Sequence, residues 1–336
     1  MRKYKLAVFI GRFQPFHNAH KAVIEQGLKI ADNVLVLIGS ANGPRTLRNP
    51  FTYEERHWMI VRSIEFKNQQ GVFTEPLGDH LYNDERWVED IQRIVSEYAD
   101  DGIVLIGHSK DHSSYYLKMF PQWDNMDVPN VWGLSSTTIR EAYFGWGGPE
   151  PVEPIMPKYT EEFLLKFQET EAYNSLVAEQ AFVDNYKSAW ENAPYPPTFV
   201  TVDACVVQSG HVLLVKRKGF PGKGLWALPG GFLNQSEKIE DACIRELREE
   251  TKIKVPAPVL RGCIKERKVF DDPNRSTRGR TITHAFLINL PSDVVLPKVK
   301  GSDDAEKARW FPIGQVTRDM MYEDHMDIIE NLTASI

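Results

Sequence analysis

Three cysteines in 336 residues, Cys205, Cys243 and Cys263, are odd in number and too widely spaced for a disulfide framework or a zinc site. They read as small core residues. Long apolar runs are missing too. The basic start, residues 1–5, is followed only by the apolar stretch Leu6 to Ile10, far short of a signal h-region or a spanning helix. No membrane partner is expected, and the expected compartment is the cytoplasm. Runs of like charge are also absent. With a net charge of −6, the surface argues against nucleic acid or an anionic membrane as partner, and leaves a local basic site for a small anion open. Neither an internal repeat nor a low-complexity segment is present.

What is there suffices for a large core: 42% of the residues are hydrophobic, and the length favours two domains. From Lys5 to Gly39 the pattern is an apolar strand (LAVFI), a loop, an amphipathic helix from Ala22 to Ile30, and a second apolar strand (NVLVLIGS). Near-continuous apolar strands belong to parallel sheets, so this is a βαβ unit. Helical patterns at Tyr53 to Ile64 and Asp84 to Tyr98, then the strand GIVLIGHS, continue the alternation. They predict an α/β doubly wound parallel sheet over residues 1–150. The composition breaks at GWGGPEPVEPIMP, residues 145–157, where four prolines and three glycines exclude regular structure. Residues 151–193 therefore read as a Pro/Gly-rich linker with a helical segment, periodic from Glu161 to Trp190. Beyond NAPYPP come β-branched strands (TFVTVDACVV, HVLLVKRK, TITHAFLINL) around one helix, Glu237 to Thr251. That predicts an α+β domain over 194–336.

GRFQPFHNAH, residues 11–20, lies between the first strand and the first helix, where open α/β sheets bind ligands. Gly11 lets the backbone turn close to a ligand. Free N–H groups at the helix start attract phosphate, and His17 and His20 can add hydrogen bonds as charge builds in a displacement at phosphorus. A bare HxxH reads equally well as two polar residues at a helix entrance.

Other segments change that balance. GRFQPFHNAH, GSANGPRTLRNPFTYEER (39–56), PLGDHLYNDERW (76–87) and SSTTIR (135–140) occur in order, and together they resemble the HxGH nucleotidyltransferases, specifically nicotinamide mononucleotide adenylyltransferases of the archaeal type. Ala19 stands where that family usually has glycine. The resemblance implies a Rossmann-like sheet and a reaction in which the phosphate of nicotinamide mononucleotide attacks the α-phosphorus of ATP. Gly11, Arg12, Phe13, His17, His20, Ser135, Ser136, Thr137 and Arg140 would bind ATP, with His17 and His20 catalytic. Asp79 and Asn83 would meet the nicotinamide carboxamide, and Trp87 would stack on its ring. Trp87 reads as readily as a core aromatic. Arg48 and Arg56 are weaker candidates for phosphate.

In GGFLNQSEKIEDACIRELREET, residues 230–251, Gly231 is followed by five residues, Glu237, seven residues, then Arg245–Glu246–Leu247–Arg248–Glu249–Glu250. This spacing is identified as a Nudix box. On a helix Glu246, Glu249 and Glu250 share one face, which continues the stripe of Ile239, Ala242 and Cys243. Buried like charges need compensation, and Mg²⁺ or Mn²⁺ with these three glutamates as ligands is the expected source, Glu249 and Glu250 being catalytic. Gly231, Glu237 and Arg245 are expected to be structural, Arg245 pairing with Glu237. The family's glycine after the box is replaced by Lys252, so the helix is expected to end differently.

DDPNRSTRGRTITHAF, residues 271–286, resembles ADP-ribose pyrophosphatases, which makes Arg278 and Arg280 candidates for ADP-ribose; a charged hairpin loop is the equal alternative. Phe220 and Trp226 read as an adenine surface or as core. Both domains together look like the bacterial bifunctional nicotinamide mononucleotide adenylyltransferase/Nudix hydrolases. ATP, nicotinamide mononucleotide and ADP-ribose are then the expected partners. The alternative is a Nudix domain that senses a ligand or cuts another nucleoside diphosphate derivative. Association into a homo-oligomer stays open.

Overall fold

The structure, a computed structural model, describes residues 2–108, 118–130, 133–145, 155–301 and 305–334. Residues 146–154 of the Pro/Gly-rich break at 145–157, the last four of them in the expected linker, and Ser109 at the end of GIVLIGHS lie outside the described residues. Contacts divide the chain into two units, Met1–Gln180 and Ala181–Ile336. The division falls inside the segment read as linker and helix.

The first unit runs β1 (Tyr4–Gly11), α1 (Asn18–Ile30), β2 (Ala31–Ile38), α2 (Tyr53–Ser63), a short α3 (Phe66–Gln69), β3 (Val72–Pro76), α4 (Asp84–Ser96), β4 (Ile103–Gly107), β5 (Asp124–Asp127), α5 (Ser136–Phe144) and α6 (Lys158–Phe167). All five strands are parallel, in the order β3-β2-β1-β4-β5. Alternate residues of the apolar strands face opposite sides. Leu6, Val8, Ile10, Leu35, Leu37 and Leu105 pack with Ile91, Ile94 and Val95 of α4. On the other face Ala7, Val34 and Ile106 meet α1 at Gly27. Helices thus cover both faces, and the chain reverses direction across the sheet at β1, between β2 and β4. Thr52 and Glu55 close a capping box on α2, Asn83 caps α4 and Ser135 caps α5. The helical pattern from Glu161 to Trp190 is broken at residues 168–170 into α6 and α7 (Glu171–Ser188).

The second unit continues with β6 (Phe199–Gln208), β7 (His211–Arg217), β8 (Trp226–Ala227), β9 (Gly230–Phe232), α8 (Ile239–Thr251), α9 (Ala257–Gly262), β10 (Ile264–Phe270), β11 (Thr281–Asn289), β12 (Ala305–Pro312) and α10 (His325–Thr333). The sheet order is β10-β11-β6-β7-β12, with β8 on β7 and β9 on β6. Only β11 and β6 pair in parallel among these strands. Val202, Ala204, Val206 and Leu213 pack on Ala242, Cys243 and Leu247 of α8. α10 packs on β10 and β11. Cys205 and Cys243 are buried and Cys263 half-buried, as expected of small packing residues.

Candidate active sites

β1 ends at Gly11, whose carbonyl accepts the Gly39 N–H at 2.9 Å, so the exits of β1 and β2 lie side by side. The chain then turns through Phe13, whose φ of 52° is left-handed and strained by ~1–3 kcal/mol for a bulky residue. That turn sets the buried Phe13 ring under Gly11, where a methyl group would meet it at 2.8 Å, and against the edge of His20 at 5.0 Å. Phe13 is a floor. The α1 helix begins at Asn18, four residues before the expected start at Ala22, so His17 is its N-cap and His20 lies in its first turn. Their rings stack at 3.6 Å with 18° between planes. The His17 N–H donates to His20 Nδ1 at 3.3 Å, which leaves the His20 proton on Nε2.

Four arginines surround this entrance. Arg12 is an exposed residue, yet protein packed around its guanidinium and the neighbouring Arg48 lower its pKa, with Asp79 opposing. Arg56 is buried and donates to four carbonyls: Thr52 at 3.1 Å, Arg12 at 2.7 Å, Gly39 at 2.6 Å and Ser40 at 3.1 Å. Burial brings it down to about 10, with Asp79 opposing. Arg56 is therefore a clamp on the main chain and not a phosphate ligand. Arg140 is also turned inward, donating to Leu47 O at 3.1 Å, Gln14 O at 2.8 Å and Thr137 Oγ1 at 3.3 Å. Burial, then Arg12 and Arg48, lower it to about 10. The guanidinium groups lie close enough to disfavour one another, which a polyanion would relieve.

Ser135 spends its hydroxyl on the Thr137 N–H at 3.3 Å, Ser136 donates to Pro15 O at 3.3 Å, and Thr137 is exposed. Ser136 and Arg140 thus tie α5 to the β1–α1 loop. On the far side Asn83 Oδ1 accepts the Arg86 N–H at 3.0 Å as the cap of α4, while Asp79 stands near Arg12 and Arg56. Trp87 packs on the sheet core, 6.3 Å from the Phe120 ring. Its core role is the one the packing supports.

In the second unit Arg245 holds the box together. Its Nη2 and Nε donate to Glu237 at 2.6 and 2.9 Å, and its Nη1 donates to Glu246 at 2.8 Å and Glu249 at 3.0 Å. The helix starts at Ile239, two residues later than expected, so Glu237 stands on the loop and is drawn to the helix by Arg245. Gly231 leaves room for the Glu246 carboxylate: a methyl group there would meet Glu246 Oε1 at 2.5 Å and displace that side chain. Gly230 N–H donates to Glu250 Oε2 at 3.0 Å. Burial pushes Glu250 up to about 8, against the Gly230 amide and with Glu246 adding to the rise; burial raises Glu246 as well. Glu249 is the exposed member of the three, and no cluster of three or more His, Cys, Asp or Glu is already gathered for a metal among the described residues. The α8 helix ends at Lys252 with φ 49° and ψ 28°, its N–H donating to Arg248 O. Lysine therefore takes the left-handed cap itself, and the expectation of a different ending does not hold.

The two halves of the chain match the models of two families, Cytidylyltransferase-like over residues 8–142 and NUDIX domain over 197–332. A solved bifunctional NMN adenylyltransferase/ADP ribose pyrophosphatase from Francisella tularensis, complexed with AMP and manganese, is 38% identical, covers 99% of both chains and has a TM-score of 0.93. The chain belongs to this bifunctional family. Among other relatives, the nicotinamide/nicotinic acid mononucleotide adenylyltransferase of Acinetobacter baylyi is 38% identical over 52% of this chain and 93% of its own. The ADP-ribose pyrophosphatase of Methanocaldococcus jannaschii is 35% identical over 39% of this chain and 71% of its own.

The Nudix half of this family member is suited to a hard divalent cation: Glu246 and Glu250 are oxygen donors whose burial a cation would offset. Glu249 would have to leave Arg245 to join them. Arg278 and Arg280 part company. Arg280 turns back to Asp271, its Nη2 lying 3.6 Å from Oδ2, while Arg278 lies over the Phe232 ring at 4.9 Å. Trp226 packs on Phe311 at 4.7 Å, and Phe220 lies 6.3 Å from Phe182. The sequence reading passed over Asp203, buried in the apolar strand β6. It accepts from Thr283 Oγ1 at 2.6 Å, lies 4.0 Å from His325 and raises Glu250. A lone acid inside TVDACVV was the available signal.

Two consequences can be measured here. Gly231→Ala is expected to displace Glu246 and cut hydrolysis by ~10–100-fold, with adenylyl transfer as the internal control. Glu237 is held down to about 2, chiefly by its Arg245 hydrogen bonds, below its ordinary value of 4.5. A lowered carboxyl stabilises the fold above pH 4.5 and loses that contribution as pH falls towards 2. Glu237→Gln should therefore lower Tm by ~2–4 °C at pH 7, and the difference should close across that acid range.

Proposed function

We propose that this chain is a bifunctional enzyme of NAD metabolism, with residues 1–150 joining ATP and nicotinamide mononucleotide to NAD and pyrophosphate, and 194–336 hydrolysing ADP-ribose to AMP and ribose 5-phosphate. Both activities are named for the solved relative that matches along the whole chain. What carries the reading is that each unit holds a polyphosphate-sized imbalance of charge: arginines and a histidine pair in the first, buried carboxylates in the second.

In the first site the mononucleotide phosphate attacks the α-phosphorus in line and pyrophosphate leaves. His20 donates from Nε2 to a phosphate oxygen, His17 stands beside it, and neither becomes covalently attached. Arg12, Ser135, Ser136 and Thr137 hold the phosphate tail near Gly11 and Phe13, Arg140 fixing α5 against that loop. Asp79 and Asn83 face the nicotinamide end, with Trp87 backing it. In the second site Glu246, Glu249 and Glu250 would hold Mg²⁺, Mn²⁺ serving in its place, and the cation would polarise the diphosphate and lower the pKa of water. Gly231, Glu237 and Arg245 keep that carboxylate face aligned, and Arg278 lies where the rest of ADP-ribose would extend.

The test supplies the purified chain with ATP, magnesium and either mononucleotide, and separately with a panel of nucleoside diphosphate derivatives, and identifies products by mass. NAD from nicotinamide mononucleotide, and AMP with ribose 5-phosphate from ADP-ribose, are the expected products. Adenylylation of a different acceptor removes the first assignment, and survival of ADP-ribose removes the second.

A further inference from the structure

The segment Leu228 to Gly231, which leads into β9, carries two contacts on which the carboxylate face depends. The Gly230 N–H donates to Glu250 Oε2 at 3.0 Å, and Gly231 leaves room for Glu246. β6 holds this segment by its main chain: the Ala204 N–H donates to Pro229 O at 2.8 Å, and Gly230 and Gly231 pair with Asp203 and Val202. A second hold comes from the start of α10. The Tyr322 N–H donates to Trp226 O at 2.8 Å, and the N–H of the buried Leu228 donates to a side chain, Nδ1 of His325, at 2.9 Å.

His325 is itself buried, and the bond from Leu228 fixes its tautomer. Because Nδ1 accepts, the ring proton is on Nε2, which faces Asp203 Oδ1 at 4.0 Å. Burial lowers the imidazole pKa, with Asp203 and Asp324 opposing, and the ring is neutral at pH 7. Its surroundings are anchored from separate segments: Thr283 Oγ1 donates to Asp203 at 2.6 Å, and Arg275 donates to Asp324 at 2.8 and 2.9 Å. A ring in this state has no lone pair left for a proton from water, so His325 is not the hydrolytic base. Its hold is on the backbone. A buried main-chain N–H seldom goes unpaired, and β9 is only 3 residues long, so an orphaned Leu228 N–H would relax the turn that aims the Gly230 amide at Glu250.

We propose that His325 is a positioning residue for hydrolysis: by accepting the Leu228 N–H it fixes the segment on which Glu246 and Glu250 are seated, and thereby sets how tightly they hold a divalent cation. This rests on the reading of the second unit as a metal-dependent diphosphate hydrolase. Groups that orient the ligands of a metal typically change its affinity by ~10–100-fold when they are removed.

The experiment measures manganese binding to the full chain without substrate, by electron paramagnetic resonance of the free ion, and kcat and KM for magnesium-dependent ADP-ribose hydrolysis. Wild type is compared with His325→Leu, His325→Asn and His325→Gln. Asparagine places its amide near the position of Nδ1 and glutamine near that of Nε2, so only asparagine keeps an acceptor for Leu228. Leucine and glutamine are expected to weaken manganese binding by ~10–100-fold and to lower kcat by a similar factor, with the ADP-ribose KM within about threefold. Asparagine is expected to stay within about threefold of wild type in both binding and kcat. If leucine fails to fold, glutamine against asparagine decides. Folded glutamine or leucine variants that lose only Tm and bind manganese as wild type does overturn the proposal while the hydrolase reading stands. So does asparagine, if it binds manganese as weakly as glutamine does. A wild type that cuts no nucleoside diphosphate derivative overturns the hydrolase reading and the proposal with it.

Discussion

Alanine at His17 or at His20 is expected to lower kcat for adenylyl transfer by ~10²–10³-fold, with the KM for nicotinamide mononucleotide changing little. The reason lies in timing. A donor aimed at a phosphate oxygen contributes most as charge accumulates there, so its removal is felt in the transition state more than in binding. His20 has a second task, because its Nδ1 accepts the His17 N–H at the start of α1. His20→Asn separates the two, keeping an acceptor for that amide while removing the ring Nε2–H. Transfer measured at saturating ATP should remain as low in His20→Asn as in His20→Ala, although its Tm should return towards wild type. Full recovery of transfer by asparagine would show that the ring contributes only a cap, and the donor role would then be wrong.

The second large effect is expected at Glu250. Glu250→Gln should reduce magnesium-dependent hydrolysis by ~10³-fold or more, since one charged ligand to a catalytic cation accounts for several kcal/mol of charge stabilisation. Stability should move the other way. Burial raises the Glu250 carboxyl from 4.5 to about 8. The folded chain therefore binds more protons than the unfolded one between those values, and stability falls as pH rises through that window. Glutamine carries no proton to lose, so without added cation the variant should melt no lower than wild type at pH 8. Addition of magnesium should raise the wild-type Tm and leave that of Glu250→Gln nearly unchanged. Turnover unaffected by the substitution would remove Glu250 from the site.

The parts of this molecule that could be read from the residues are those where chemistry is local. LAVFI and NVLVLIGS are apolar enough to demand a doubly covered sheet, and they became β1 and β2. The box from Gly231 to Glu250 announced its helix because charged residues interrupt an apolar stripe at helical spacing. β3 and β5 went unread: VFTEP lies on a sheet edge and DNMD is almost wholly polar, so neither has a pattern to detect. β10, IKERKVF, alternates cleanly but sits at the other sheet's edge, among charges that read as loop. Side-chain destinations were harder still. Arg56 and Arg140 look like phosphate ligands in a list of residues, yet they turn to carbonyls supplied by segments far off in the chain. Nothing near either arginine in sequence encodes that choice. Lys252 shows the opposite failure, where a missing glycine suggested a change of backbone and the backbone kept its course.

Arg56 has a consequence for anyone who maps this enzyme by loss of activity. Its one cation fastens the ends of two neighbouring strands together, so they shift as a pair or not at all. A saturation screen scored on NAD formation would rank Arg56 beside the histidines, although it is a hinge pin and its removal would loosen Arg12 and Gly39 long before it touched a nucleotide.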